Sequence, residues 1–518
     1  MKKFCPSPVL SCGTFAGIVL SLLGCTAPIK FASANVELSP LFQDHTVLQS
    51  GQSDPIWGTA EAGEKITVSF AGQSLSTIAG KDGIWRVVLS PLTSNSTPET
   101  LTVTGNNTLN VRDVVVGEVW LCSGQSNMDF SLSRARNGDE EIAAANWPMI
   151  RQFKVRNSLS NAPQTTLRGE WIPASPATAG DFTAVGYFFA RELQQKMGFP
   201  VGIVHSSWGG TDIEAWMSAD SINSNPDLKF VTQHWQQRLD DYPARKTQYE
   251  ADLTDWQQKT DDARAKGESY TRPKPREPAN PDGTTHVDKA SAIFNGKIAP
   301  FASLSMRGVL WYQGENNAGR AGEYETLFPS LITGWRKAFG RPELPFFWVQ
   351  LPNFRGNPND TDWVEMRQAQ SKALSLPATG QAIAIDVGEV TNIHPTNKQP
   401  VGERLARLAL NRVYSQKIVD CGPTFVAAKF EGNTMRVEFS NIANGLKFDG
   451  DALNGFEVAG ADQKFVPASA HIDGATVVVN APTIPLPVAV RYAWHNAPTT
   501  NLVNSEGLPT APFRSDNW

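Results

Sequence analysis

Cysteine is scarce. The chain of 518 residues holds five. Three of them, Cys5, Cys12 and Cys25, lie at the very start, which leaves Cys122 and Cys421 for everything else. Two thiols build no disulfide framework, and a chain of this size needs none. Basic excess is also missing: 46 Lys and Arg stand against 51 Asp and Glu, a net charge of −5. No positive field is present to hold nucleic-acid phosphates, so that class of partner is excluded. Histidine is limited to seven. No His/Cys/Asp cluster with zinc-ligand spacing occurs, so no metal and no other cofactor is expected. Disorder is excluded by 41% hydrophobic against 19% charged residues, a globular mixture of two to four domains. Tryptophan is plentiful, with fifteen copies. Its ring packs cores and also lies well against sugar rings, so carbohydrate enters as a candidate ligand.

The N-terminus reads as a targeting segment. Met1-Lys2-Lys3 supplies charge, and Phe15 to Leu23 is an apolar run of about nine residues, too short to span a bilayer. Two endings compete. Leu22-Leu23-Gly24-Cys25 fits a bacterial lipoprotein box, with a signal over 1–24 and lipid on Cys25. Ala32-Ser33-Ala34 fits ordinary cleavage before Asn35, with a signal over 1–34. Either way the protein is expected to be exported, to the bacterial periplasm or to the outer membrane as a lipoprotein. The only membrane contact expected is the anchor at Cys25.

Three regions follow. Over 36–113, short alternating runs such as Ile66-Thr67-Val68-Ser69-Phe70 and Trp85-Arg86-Val87-Val88-Leu89 are broken by Gly and Asp turns, which predicts a small β-sandwich. Over 114–415 the period changes. Apolar strands are predicted at Val115–Cys122, Val201–His205, Arg307–Tyr312, Phe346–Leu351 and Ala382–Asp386. Helices are predicted at Ala184–Met197, Glu323–Phe339, Glu365–Leu374 and Lys398–Val413. That alternation predicts an α/β fold, a parallel sheet with helices on both faces and a ligand site beyond the strand C-termini. A polar segment over about 220–290 interrupts it, with a helix near Gln236–Lys266 and a Pro-rich loop from Thr271 to Asp282. Period-2 strands return over 421–518, at Thr434–Phe439 and Thr476–Val479, before a loop-like tail from Asn501 to Trp518.

Chemistry gathers at predicted strand ends. Val115–Cys122 runs into Ser123-Gly124-Gln125-Ser126, a strand, a tight turn and a hydroxyl, which suits an exposed nucleophile. Cys122 is expected to be a buried thiol. Of the histidines, His394 is best placed to serve as a base, in the loop between the last predicted strand and the helix beginning near Lys398; His205 ends a strand and reads as a packing residue. Ser207-Trp208-Gly209-Gly210-Thr211 carries paired glycines, which let backbone N–H groups approach a ligand. Trp311-Tyr312-Gln313-Gly314-Glu315-Asn316-Asn317 offers amide and carboxyl side chains.

These blocks resemble the sialate O-acetylesterase family of carbohydrate esterases in the SGNH hydrolase superfamily. The resemblance rests on Gly117-Glu118-Val119-Trp120-Leu121-Cys122-Ser123-Gly124-Gln125-Ser126-Asn127-Met128, Trp208 to Trp216, Trp311 to Asn317 and Ile393-His394-Pro395 with Asn397-Lys398. N-terminal and C-terminal blocks (Ile56-Trp57-Gly58; Arg491-Tyr492-Ala493-Trp494) extend it over most of the chain. It implies an SGNH-hydrolase-like sheet with flanking helices and β-rich domains at both ends. It implies Ser126 as nucleophile, His394 as base, and an oxyanion hole from the N–H of Ser126, that of Gly209 or preferably Gly210, and the side chain of Gln313. One position departs from the pattern: related sequences often have Asp two residues before the histidine, where this chain has Asn392. Glu315, Glu389 or Asp386 could supply the charge, Asn392 could orient the ring, or Ser126 and His394 could act as a pair. The implied substrate is an O-acetylated sugar, sialate first and acetylated xylan or another polysaccharide as the alternative. A sialate carboxylate would need a cation, for which Arg320 is the candidate, and Trp208 is a candidate sugar contact. A sugar-binding protein without catalysis is the remaining alternative.

Overall fold

The computed structural model describes residues 35–281, 286–355 and 361–518. The expected targeting segment over 1–34, with Cys25, lies outside the described residues, as does Asp282 at the end of the Pro-rich loop.

The centre is a sheet whose core strands are buried on both faces. Its strands are β1 (Thr108–Gly124), β2 (Trp147–Lys154), β3 (Trp171–Ala174), β4 (Val201–Ser207), β5 (Gly308–Tyr312), β6 (Phe346–Val349) and β7 (Thr379–Ala382). They pair in the order β3-β2-β4-β1-β5-β6-β7. All neighbours are parallel except β3, which runs antiparallel at the edge. Near-continuous apolar sequence, Val-Trp-Leu-Cys in β1 and Phe-Phe-Trp-Val in β6, is what burial on two faces requires.

Of the helices α1 (Ser126–Asp129), α2 (Ala184–Met197), α3 (Lys229–Ala265), α4 (Ala321–Ala338), α5 (Asp362–Lys372) and α6 (Gln399–Arg412), α2, α4, α5 and α6 cover those faces, α1 follows β1, and α3 stands off the sheet. On one face Cys122 lies against Gly186 of α2, where an added Cβ would stand 3.1 Å from the sulfur. Burial there makes Cys122 an inert thiol rather than a nucleophile, since it pushes the pKa far above the ordinary thiol value. The same face brings α6 onto α2, where a Cβ on Gly402 would sit 2.6 Å from that of Phe188. On the opposite face Trp311 meets Trp335 of α4 edge-on at 5.6 Å. Most of the tryptophans are thus core packing: Trp85, Trp120, Trp216, Trp311, Trp335 and Trp348 are all fully buried.

The N-terminal β-region is not separated from this sheet. Its strands Lys65–Phe70 and Gln73–Ile78 reach β1 through Asn95–Thr104, which pairs antiparallel with the first half of β1. The expected boundary at 113/114 falls inside β1. Asp113 there has φ 54°, and the pairing register shifts between Glu99 and Leu101, the mark of a bulge. Asp113 is held by the buried Arg151 at 2.8 Å and by His45 at 2.6 Å.

Two further sequence expectations are corrected. The strand expected at Ala382–Asp386 is Thr379–Ala382, followed by a 3-10 turn at Ile385–Val387. Ile383 and Ile385 are apolar because they join the core of the C-terminal β-unit, not because they extend the sheet. The tail from Asn501 to Trp518 carries two short strands, Leu502–Asn504 and Phe513–Arg514. Phe513 stacks on Phe425 at 4.5 Å and so closes that core.

The polar segment forms α3, one helix of 37 residues with Val231 as its buried residue. Among the described residues, no helix is long and apolar enough to cross a membrane.

Candidate active site

Register brings three of the loops together. Gly124 at the end of β1 pairs with Ser207 of β4 on one side and Tyr312 of β5 on the other. The chain must leave all three strands at one level. Gly124 makes the turn possible: its φ is 132°, and a Cβ would stand 2.1 Å from the Tyr312 carbonyl oxygen. The Gln125 N–H donates to that same oxygen at 2.9 Å, and the Trp208 N–H donates to the Gly124 carbonyl at 3.0 Å.

Ser126 opens α1 and is half-buried. His394 approaches from the loop between β7 and α6. Its Nε2 stands 2.8 Å from the Ser126 Oγ. Burial, with Lys398 and Arg134 nearby, holds the imidazole below its usual value of 6.5. The neutral ring, free to accept a proton, is thereby favoured over the imidazolium.

None of the four expected partners reaches the ring. Asn392 Oδ1 accepts from the His394 backbone N–H at 3.0 Å, so it shapes the loop. Glu389 accepts from Asn392 Nδ2 and from the Thr396 N–H and hydroxyl, which hold its carboxyl below the usual range. Asp386 is forked by Arg404 at 2.7 and 2.6 Å. Glu315 is buried and accepts from Asn127 Nδ2 at 2.6 Å; burial raises its pKa. Among the described residues no carboxylate hydrogen-bonds to His394.

The glycine loop touches the nucleophile. A Cβ on Gly209 would be 3.2 Å from that of Ser126, whereas one on Gly210, at φ 69°, would meet nothing. Gly209, rather than the preferred Gly210, is thus the residue that lies against Ser126. Among the described residues the N–H groups of Ser126, Gly209 and Gly210 meet no acceptor. Gln313 does not join them. Its Nε2 donates to the Thr211 carbonyl at 3.1 Å and to Asn317 Oδ1 at 2.7 Å, while its Oε1 accepts from the Tyr324 hydroxyl at 2.9 Å. Fully buried, its amide has spent both donors on internal partners, as burial demands. It fixes the glycine loop from beneath.

The other two candidates differ. Trp208 is half-buried, with Lys297 Nζ 5.5 Å from its ring. Arg320 is not a free cation. It pairs with Glu214 at 2.6 Å, Glu323 at 2.7 Å and Asp212 at 3.4 Å. His205 is buried, with Nε2 2.5 Å from the Ser207 hydroxyl, in the packing role its strand position indicated.

Sequence reasoning missed Asn127 and Lys398. Asn127 is wholly buried beside the nucleophile. It donates to Glu315 and, at 2.9 Å, to the Ile393 carbonyl, and accepts from Lys398 Nζ at 2.5 Å. One amide thereby ties the Ser126 turn to the loops of β5 and His394. Burial lowers Lys398 to about 7 against the opposing pull of Glu315 and Glu389. Both residues stood within quoted motif blocks, which was the available signal. Arg134, seated 4.4 Å over Phe130, had none.

Comparison with known proteins agrees with this architecture. Residues 116–270 and 285–411 match the family described as "carbohydrate esterase, sialic acid-specific acetylesterase". The sialate O-acetylesterase of Rattus norvegicus is 30% identical over 74% of this chain and 75% of its own. That of Homo sapiens is 26% identical over 97% and 96%. A crystal structure of a carbohydrate acetylesterase from Xanthomonas citri superposes with a TM-score of 0.80 at 39% identity, covering 93% of this chain and all of that one.

Proposed function

The chain belongs to the carbohydrate esterase family of sialic acid-specific acetylesterases, and from that premise we propose a serine O-acetylesterase of SGNH type, exported, that removes acetyl groups from sugar hydroxyls. The observation that carries the proposal is the 2.8 Å contact between Ser126 Oγ and His394 Nε2, beside backbone N–H groups that meet no acceptor among the described residues.

Ser126 Oγ attacks the acetyl carbonyl carbon while His394 Nε2 takes its proton. The carbonyl oxygen becomes an oxyanion, for which the N–H of Ser126 and of Gly209 or Gly210 are the donors. Collapse breaks the bond to the sugar oxygen, which leaves with the proton from His394. A water then attacks the acetyl-enzyme with His394 again as base, releasing acetate and restoring Ser126. With no carboxylate hydrogen-bonded to the imidazole among the described residues, Ser126 and His394 work as a pair, and Asn127 and Asn392 hold the geometry.

Sialate is the substrate named for the curated relatives. A second reading, a neutral acetylated polysaccharide, is favoured by Arg320: three carboxylates already occupy the cation that a sialate would need. Export to the periplasm, or to the outer membrane through lipid on Cys25, rests on the N-terminal sequence. The test is acetate release from O-acetylated sialate, xylan and simple sugars by the wild type and by Ser126→Ala. A folded Ser126→Ala protein that keeps near-normal turnover would refute the assignment.

A further inference from the structure

The early turns of α3 lie against the glycine loop. Arg238 reaches Asp212 at 3.8 Å and Asp288 at 3.4 Å. Trp235 is half-buried, its ring 5.3 Å edge-on from His286. Between helix and loop is a cleft of about 320 Å³ lined by Asp212, Glu214, Trp235, Arg238, Asp288 and Arg320, among others. The volume suits a small ligand. Asp212 follows Gly209 by three residues, so the chain keeps its Cα within about 11 Å of the residue touching Ser126. Asn316, whose N–H points to Gln125 Oε1 at 3.4 Å, donates to Asp212 Oδ1 at 2.5 Å and links the cleft to the nucleophile turn.

The cleft's charge selects its ligand. Three carboxylates face two guanidiniums, and both guanidiniums are already paired. Burial first, and then the neighbouring Glu214 and Asp288, raise Asp212 to about 6. Asp288 lines the cleft and holds Arg238 through Oδ2, while its Oδ1 is shielded from solvent with no hydrogen-bond partner among the described residues. An anionic sugar would be repelled here. A neutral sugar brings hydroxyl donors for the carboxylates and an apolar ring face for Trp235.

We propose that α3 builds a subsite for a neutral sugar unit next to the acetylated one, with Trp235 as its platform and Arg238, held in place by Asp212 and Asp288, as hydroxyl partner. The inserted helix thereby directs the esterase to neutral glycan chains. The proposal rests on the Ser126 esterase reading and adds the substrate class.

The test compares Trp235→Ala and Asp288→Asn with Gln248→Ala, an exposed position farther along the same helix. Each protein is checked for folding and assayed on acetylated xylo-oligosaccharide, O-acetylated sialic acid and 4-nitrophenyl acetate. The expected result is a rise in KM for the oligosaccharide. The ratio of kcat/KM on oligosaccharide to that on 4-nitrophenyl acetate should fall about tenfold or more. Gln248→Ala should keep the wild-type ratio. An unchanged ratio in folded Trp235→Ala and Asp288→Asn overturns the subsite, as does a wild type that prefers O-acetylated sialic acid. Ser126→Ala separates the two readings: if it is inactive on every ester while the ratio holds, only the subsite falls; if it stays active, the premise falls as well.

Discussion

Ser126 Oγ and His394 Nε2 meet at 2.8 Å across 268 positions of chain, and among the described residues no carboxylate hydrogen-bonds to that imidazole. In a triad, replacing the carboxylate by its amide costs ~10⁴-fold in kcat. Here His394→Ala should lose nearly as much as Ser126→Ala, while Asn392→Ala, Glu389→Gln and Asp386→Asn should each lose less than about 100-fold. Steady-state kcat/KM on one acetyl ester, with folding checked, measures this. A loss beyond about 1000-fold in either carboxylate variant would identify a partner that the hydrogen bonds do not show.

The pH profile should carry the electrostatics of the same ring. Burial, Lys398 and Arg134 all disfavour the imidazolium, so the folded His394 titrates below 6.5. The acid limb of kcat/KM should therefore lie below that value. Arg134→Gln removes one cation, stabilises the imidazolium and should move the limb up. A limb that stays put or moves down would refute the assignment of that charge.

Two glycine substitutions should fail in different ways. Gly209→Ala places a methyl 3.2 Å from the Ser126 Cβ in an exposed loop. It should lower kcat about 10- to 100-fold by displacing the nucleophile, with little change in Tm. Gly124→Ala drives a methyl into the Tyr312 carbonyl at a φ of 132°. It should cost about 4 kcal/mol or more and reduce the yield of folded protein. Thermal melts beside activity separate the two cases.

Arg320→Met should lower stability. It would leave Asp212, Glu214 and Glu323 without their shared cation, at a cost of about 3 kcal/mol for a mostly buried pair. Thermal melts beside the wild type measure the loss, and an unchanged Tm would refute the structural role of these pairs.

The exported protein should begin at Cys25 or at Asn35. Intact mass of membrane-extracted and soluble material decides between them, and mature protein that retains Met1 to Leu23 would refute export.

Much of the sheet was legible because its strands are buried on both faces, which leaves unbroken apolar runs such as Val119-Trp120-Leu121-Cys122. Ser126 and His394 were legible because strand-to-loop motifs surround them. The misreadings share one cause: sequence marks a residue as apolar or polar without saying whom it meets. Ile383 and Ile385 looked like strand and serve the C-terminal core. Gln313 looked like an outward donor and is tied inward by the Thr211 carbonyl and Asn317. Arg320 looked free, because Glu214, Asp212 and Glu323 approach it only once the loops have folded.

The bulge at Asp113 bears on how such a protein can be recombined. The N-terminal sheet and the nucleophile turn hang from one unbroken strand, pinned midway by Arg151 and His45. A crossover between relatives at residue 113 would cut a hydrogen-bonded ladder and separate Asp113 from the groups that hold its left-handed backbone. Exchange of the N-terminal sheet must therefore carry along the hairpin of Asn95–Thr104 and the whole of Thr108–Gly124, and with it the serine's own support.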